Sequence, residues 1–184
     1  DHYGSYLAIR NKEIEEMRMN ESMNKGKGKA RTHDYAIPKE GTASFRVKSR
    51  LISLFDDQNK YSDTILQKQL HLASSKFAKA IELIKKNSKH LSIIFCEYTN
   101  DDNGLGKFAQ ILELNGYSEY DEIGGPKNYA FITGDTLPED RNKLMKIYNS
   151  PENKYGVKIS LLLISSVAAL GLTFHNTTIL ILLS

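Results

Sequence analysis

The stretch SLLLISSVAALGLTFHNTTILILLS, from Ser160 to Ser184, contains no Lys, Arg, Asp or Glu. A stretch so free of charge belongs either in a bilayer or inside a folded protein. A membrane-spanning helix needs about 20 consecutive, predominantly apolar residues. Here the run from Leu161 to Phe174 is followed at once by His175, Asn176, Thr177 and Thr178. Polar side chains of that kind are costly at bilayer depth. Residues 159–165 and 178–184 instead predict two neighbouring strands of a sheet covered on both faces, joined by a bend. An apolar strand in that position implies a parent protein that continues past Ser184.

The text upstream supports a sheet. ASSKFAKAIELIKKN places Phe77, Ala80, Ile81 and Ile84 at i, i+3, i+4 and i+7, one helical face, with Ser74 or Ser75 as cap. LSIIF (91–95) and YAFIT (129–133) are short apolar runs expected to be strands. GKFAQILELNGY predicts a helix with Phe108, Ile111 and Leu112 inward and Gly116 as its stop. GDTLPEDRNKLMKIYN predicts another. There Thr136 and Glu139 have capping-box spacing, Pro138 lies in the first turn, and Leu144, Ile147 and Tyr148 form the face. Strand, helix, strand, helix, strand, turn, strand is the order of an α/β protein with a three-layer parallel sheet and flanking helices. Before it, residues 7–22 predict a helix, NKGKGKAR a flexible loop, ASFRVKSRLISLF an extended segment and residues 56–63 a polar connector. The expected organisation is a helical and loop lead-in over 1–70 and the α/β domain over 71–184.

Several function classes are excluded or disfavoured by composition. Cys96 is the only cysteine, which rules out a disulfide framework or a Cys-based zinc site, and no two of the five histidines have metal-ligand spacing. The N-terminal DHYGSYLAIRNKEIEE is too polar for a signal peptide. The net charge is only +3, but Lys25–Arg50 holds eight Lys or Arg against Asp34 and Glu40, a candidate phosphate-binding stretch. No G-x-x-x-x-G-K-[ST] loop occurs. No catalytic or metal-binding residue is assigned.

In a parallel α/β sheet, ligands bind at the carboxyl ends of the strands. Ser165 and Ser166 follow one strand, Thr133 and Gly134 another. Small hydroxyls and open backbone N–H groups there suit phosphate oxygens. Gly171 permits close backbone approach in the bend, and Thr173 adds a hydroxyl beside it. Cys96 is expected to be a packed thiol.

Four blocks in order carry a family resemblance: SSKFAKAIELIKKN, LSIIFCEYTNDDNGLGKFAQILELNGY, YAFITGDTLPEDRNKLMKIYNSPEN and LLLISSVAALGLTF. Together they resemble the C-terminal RecA-like lobe of superfamily 2 helicases, in the Swi/Snf-type and poxvirus nucleoside triphosphatase I branch of large DNA viruses. ASFRVKSRLISLF resembles the segment by which viral members enter that lobe, so the likeness covers most of 42–184. The resemblance implies the second motor lobe of a nucleic-acid-dependent ATPase, with nucleic-acid contacts at Ser165, Ser166, Thr133 and Gly134 and ATP contacts at Gly171 and Thr173. It implies ATP and Mg²⁺ as cofactors of the parent and none bound by this chain alone. The implied partners are nucleic acid (DNA ahead of RNA), a first helicase lobe and RNA polymerase, without a membrane, in the cytoplasmic viral factory or the virion. This sequence carries neither the Gly-Arg-x-x-Arg motif nor the Walker A lysine of the family, and VAALG has fewer glycines than many such bends. Two other readings fit the residues: a non-enzymatic α/β nucleic-acid-binding module, and a membrane-anchored protein with a C-terminal span.

Overall fold

The computed structural model describes residues 2–24 and 47–183, Val167 and Leu170 excepted. Most of the basic stretch, residues 25–46, lies outside the described residues. Five parallel strands form one sheet: β1 (Leu91–Cys96), β2 (Ser118–Glu119), β3 (Asn128–Ile132), β4 (Leu161–Ile164) and β5 (Thr177–Leu183), in the order β2-β3-β4-β1-β5. The helices are α1 (His2–Asn24), α2 (Val47–Leu54), α3 (Asp63–Lys68), α4 (Ser75–Lys86), α5 (Leu105–Leu114) and α6 (Pro138–Tyr148).

Alternation along the strands divides the core in two. Ile94, Cys96, Tyr129, Leu161, Leu163, Ile181 and Leu183 face α4 and α5, against Phe77, Ile81, Ile84, Phe108, Ile111 and Leu112. Leu91, Ile93, Ala130, Ile132, Leu162 and Ile164 face the other way, against Met145 and Tyr148 of α6. The three layers expected from the sequence are therefore present. Phe77, Ala80, Ile81 and Ile84 are all buried, and Ser74 Oγ accepts from the Phe77 N–H at 2.9 Å, capping α4. Gly116, at φ 81°, ends the turn after α5 as expected.

Other expectations are corrected. The two C-terminal strands are not neighbours: β4 and β5 each pair with β1, which lies between them. Parallel strands cannot be joined by a tight hairpin, and the longer connection leaves room for a third strand between. Among the described residues β5 lies at one side of the sheet, with Leu180 and Leu182 more than 60% exposed while Ile181 and Leu183 are buried. The segment expected to be extended is helical from Val47 to Leu54, because docking on α1 and the core buries Ser49, Ile52 and Leu54. Thr136 does not form a capping box. Leu137 is the N-cap of α6 without a side-chain bond, and Thr136 Oγ1 accepts from Thr133 N at 2.9 Å instead. β2, α3 and the 3₁₀ turns at Leu70–Leu72 and Pro151–Asn153 were not anticipated. Among the described residues no helix is long and apolar enough to cross a membrane.

Residues 47–72 join the same core as the α/β layers: Leu54, Phe55, Leu66 and Leu70 cluster with Phe77 and Phe108. Helix α1 is tied on by polar groups. Ser49 N donates to Glu13 Oε1 at 3.0 Å, and the His2 ring donates from Nε2 to the Ile52 carbonyl at 2.6 Å. Asp56, with no exposed surface, accepts from Ser5, the Gln58 amide, Asn59 and Tyr61. Burial pushes the Asp56 carboxyl up, but the bonds from Asn59, Tyr61, Gln58 and Ser5 outweigh it and hold its pKa below the ordinary value. A carboxylate with a depressed folded pKa contributes stability that is full above its unfolded pKa of about 3.9 and lost as pH falls through the folded value. The urea midpoint should therefore drop at acid pH, and Asp56→Asn should flatten that drop below about pH 4. Parallel acid profiles for the two proteins would assign the loss to other groups.

Candidate nucleic-acid interface

A parallel sheet sends all its strands out on one side, so every strand's carboxyl end opens on a single edge. In register, Phe95 of β1 pairs with Ile164 of β4, which pairs with Ile132 of β3. The residues that follow these three are therefore side by side. Ser165 N donates to the Ile132 carbonyl at 3.2 Å, which sets Ser165 directly beside Thr133. The structure thus brings together Ser165, Ser166, Thr133 and Gly134.

Each has a distinct environment. Thr133 and Thr136 hold a tight turn: Thr136 N donates to the Thr133 carbonyl at 3.2 Å, and Thr133 N to Thr136 Oγ1. Gly134 is exposed at the crest of that turn. Ser166 is exposed, whereas Ser165 is buried at 3% exposure. The Ser165 carbonyl accepts from the Ala168 and Ala169 N–H groups at 3.2 Å each, which curls the chain after β4. The Ser165 hydroxyl oxygen has no hydrogen-bond partner among the described residues. A buried unsatisfied hydroxyl costs about 1–3 kcal/mol, and this one lies at the carboxyl edge of the sheet.

Gly171 and Thr173 are placed elsewhere. Gly171 is exposed at φ 77°, with open space where a Cβ would stand. The Thr173 carbonyl accepts from Asn149 Nδ2 at 2.8 Å, and Asn149 Oδ1 accepts from His175 N at 2.7 Å. Asn149 is the C-cap of α6, and β5 begins at Thr177 beside Leu91, the first residue of β1. The bend thus carries Thr173 to the opposite edge of the sheet, away from Ser165 and Ser166.

Two cations at the β1 end escaped the sequence reading. Arg50 of α2 is ion-paired with Glu97, the residue after β1, and lies 5.4 Å from the centroid of the Tyr98 ring. Lys76, in the first turn of α4, donates to Ser53 Oγ at 3.2 Å. Burial, joined by the charge of Arg50, pulls the Lys76 pKa down, and the neighbouring Cys96 only partly opposes this. A segment expected to be extended gave no reason to aim Arg50 at this edge. Cys96 itself is buried, and burial pushes its thiol pKa up, as for a packed thiol. Acidic side chains at Asp101, Asp102 and Asp135 are exposed on the loops of the same edge, so its charge is mixed.

Phosphoryl transfer needs a phosphate cradle, a Mg²⁺ ligand and usually an arginine. Among the described residues, no group of three His, Cys, Asp or Glu side chains could hold a metal ion. Thr173, beside Asn149 and the start of β5, stands apart from the strand-end edge at which parallel sheets bind ligands.

Residues 75–184, more than half of the chain, match the model of the helicase conserved C-terminal domain. A protein of Acanthamoeba polyphaga mimivirus that bears the name of an ATP-dependent RNA helicase is 31% identical over 104 residues, covering 55% of this chain and 18% of that protein. One of Invertebrate iridescent virus 3, named as a helicase, is 33% identical over 118 residues, 60% of this chain and 12% of its own length. The early transcription factor 70 kDa subunit of Vaccinia virus (strain Ankara) is 32% identical over 113 residues, 56% and 17% respectively. The chain spans less than a fifth of the length of these curated relatives.

Proposed function

Because this chain belongs to the helicase conserved C-terminal domain family, we infer that it is the second motor lobe of a nucleic-acid-dependent ATPase serving viral transcription. The nucleic-acid backbone rests on Ser165, Ser166, Thr133 and Gly134, where hydroxyls and backbone N–H groups meet phosphate oxygens without reading sequence. The single observation that carries this reading is the side-by-side placement of Ser165 and Thr133 at the carboxyl edge of the sheet, which exposes Ser166 and Gly134 together.

Gly171, exposed and with open space around it, forms this lobe's wall of an ATP cleft that a first lobe completes; Thr173, carried to the opposite edge of the sheet, lies away from it. The Walker A lysine and the Mg²⁺ ligand come from that first lobe, so the chain alone binds neither ATP productively nor Mg²⁺. DNA ahead of RNA as the track, and RNA polymerase as a partner, belong to the same proposal; one relative is named an early transcription factor subunit and another an RNA helicase. The proposal places this action in the viral factory or the virion.

The test is fluorescence anisotropy with short single-stranded and duplex DNA over a salt series. Binding should weaken with rising salt, as phosphate contacts require. Ser166→Glu and Gly134→Asp each place a carboxylate against the backbone, and each should cost about tenfold in affinity, ~1.4 kcal/mol. With ATP, Mg²⁺ and DNA, the chain alone should show no turnover. Salt-independent binding, or variants that bind like the parent, would remove the interface; turnover by the chain alone would remove the division of labour.

A further inference from the structure

A cavity of about 600 Å³ opens between the start of α1, the end of α2 and the first residue of α4. Its size is that of a small-molecule site. Tyr3 and Tyr6, one helical turn apart, line it with rings stacked at 6.5 Å between centroids and 23° between planes. His71, Leu72 and Ser75 form the facing side. Tyr3 is 66% exposed, so its ring is presented to solvent at the mouth.

One wall adjoins charge. Ser53, which lines the cavity, donates from Oγ to the Arg50 carbonyl at 2.7 Å and accepts from Lys76 Nζ at 3.2 Å. Arg50 is in turn held by Glu97 and Tyr98, the first residues beyond β1. Through Ser53 the cavity wall adjoins Lys76 and Arg50, which stand beside the carboxyl end of β1, the strand next to β4.

We propose that this cavity is a stacking site for one unpaired base of a single-stranded nucleic acid, with Arg50 and Lys76 taking the adjoining phosphate. This rests on the reading of the strand-end edge as a nucleic-acid interface and extends it to a surface built by the lead-in helices. Flat aromatic faces stack any base, and cations beside them follow the backbone; together these are the elements of sequence-tolerant single-strand binding. The imidazole of His71 and the hydroxyl of Ser75 offer hydrogen bonds to a base edge. An apolar peptide would fill the aromatic mouth but would bring no negative charge to Arg50 and Lys76 beside it. A duplex cannot enter, since its bases are already stacked.

The test uses the whole chain with a 2-aminopurine-labelled single-stranded oligonucleotide and an unlabelled duplex of matched sequence. Binding of the single strand should quench the label, as stacking does. The double variant Tyr3→Ala/Tyr6→Ala should abolish the quench and weaken single-strand affinity at least about fivefold, the low end for one stacked base. Duplex affinity and the salt slope should not move, and Tyr3→Phe/Tyr6→Phe should retain the quench. Should the double variant fold poorly, Tyr3→Ala alone removes an exposed ring and should still reduce the quench. If the alanine variants bind and quench like the parent while Ser166→Glu weakens both DNA forms, the cavity assignment fails and the interface stands. If the parent binds neither form, the interface reading fails and takes this inference with it. A quench relieved by an apolar peptide but not by excess unlabelled single strand also overturns it.

Discussion

Asn153→Ala should lower the stability of this chain by about 3–5 kcal/mol, among the largest effects of a single substitution here. Asn153 has no exposed surface and lies in the 3₁₀ turn between α6 and β4. Its Nδ2 donates to the Tyr148 carbonyl at 3.1 Å and the Ile159 carbonyl at 2.9 Å. Its Oδ1 accepts from Lys158 N at 2.9 Å and Ile159 N at 3.1 Å. One amide therefore satisfies four backbone groups, two of them donors and two acceptors. Alanine leaves all four without that partner, at a cost of about 1–3 kcal/mol each before relaxation and water entry. Asn153→Asp should be nearly as damaging, because a carboxylate cannot donate to the two carbonyls. The consequence for function follows from position. The Ile159 that Asn153 holds leads directly into β4, and the pairing of β4 with β3 and β1 sets Ser165 beside Thr133. Urea unfolding of the variant measures the effect, and a loss below about 1 kcal/mol would mean that water replaces the amide.

Phe77→Ala should cost about 3–5 kcal/mol as well, by a different route. The ring is fully buried, edge-on to Phe108 at 5.0 Å and 72°, and 5.9 Å from Phe55. Its removal leaves a cavity where α4, α5 and the segment after α2 meet. The polar cap at Ser74 is untouched, so the loss belongs to packing alone. A double-mutant cycle with Phe108→Ala should give a coupling of about 0.5–1.5 kcal/mol beyond the area lost, the range for an edge-to-face pair. Since Phe55 follows directly on α2, the variant should also speed hydrogen exchange in α2, the helix that carries Arg50. Undisturbed exchange there would show that α2 is held by α1 rather than by the core.

Both residues show how far the sequence could be read. Phe77 was legible because helical spacing announces a buried face whatever that face packs against. The strands at 91–96, 128–132 and 161–164 were legible for a similar reason: short apolar runs between helices have few other places to go. Asn153 was not legible, since nothing local distinguishes a buried, four-bonded asparagine from one in a surface turn. Residues 47–54, part of a segment expected to be extended, are helical instead. That helix depends on contacts with α1 and the core, whereas eight residues alone form a helix only marginally.

The candidate site divides the same way. That Ser165, Ser166, Thr133 and Gly134 sit at strand ends follows from the order of elements, and parallel pairing alone sends those ends to one edge. The unpaired Ser165 hydroxyl, the transfer of Thr173 to the opposite edge, and the arrival of Arg50 and Lys76 beside β1 do not follow from that order. Periodicity and apolar runs depend on a few neighbouring residues, so this sequence by itself determined its helices, most of its strands and its α/β class. Strand order, the exposed face of β5 and the company each polar group keeps depend on partners distant in sequence, and only the packed tertiary structure decided them.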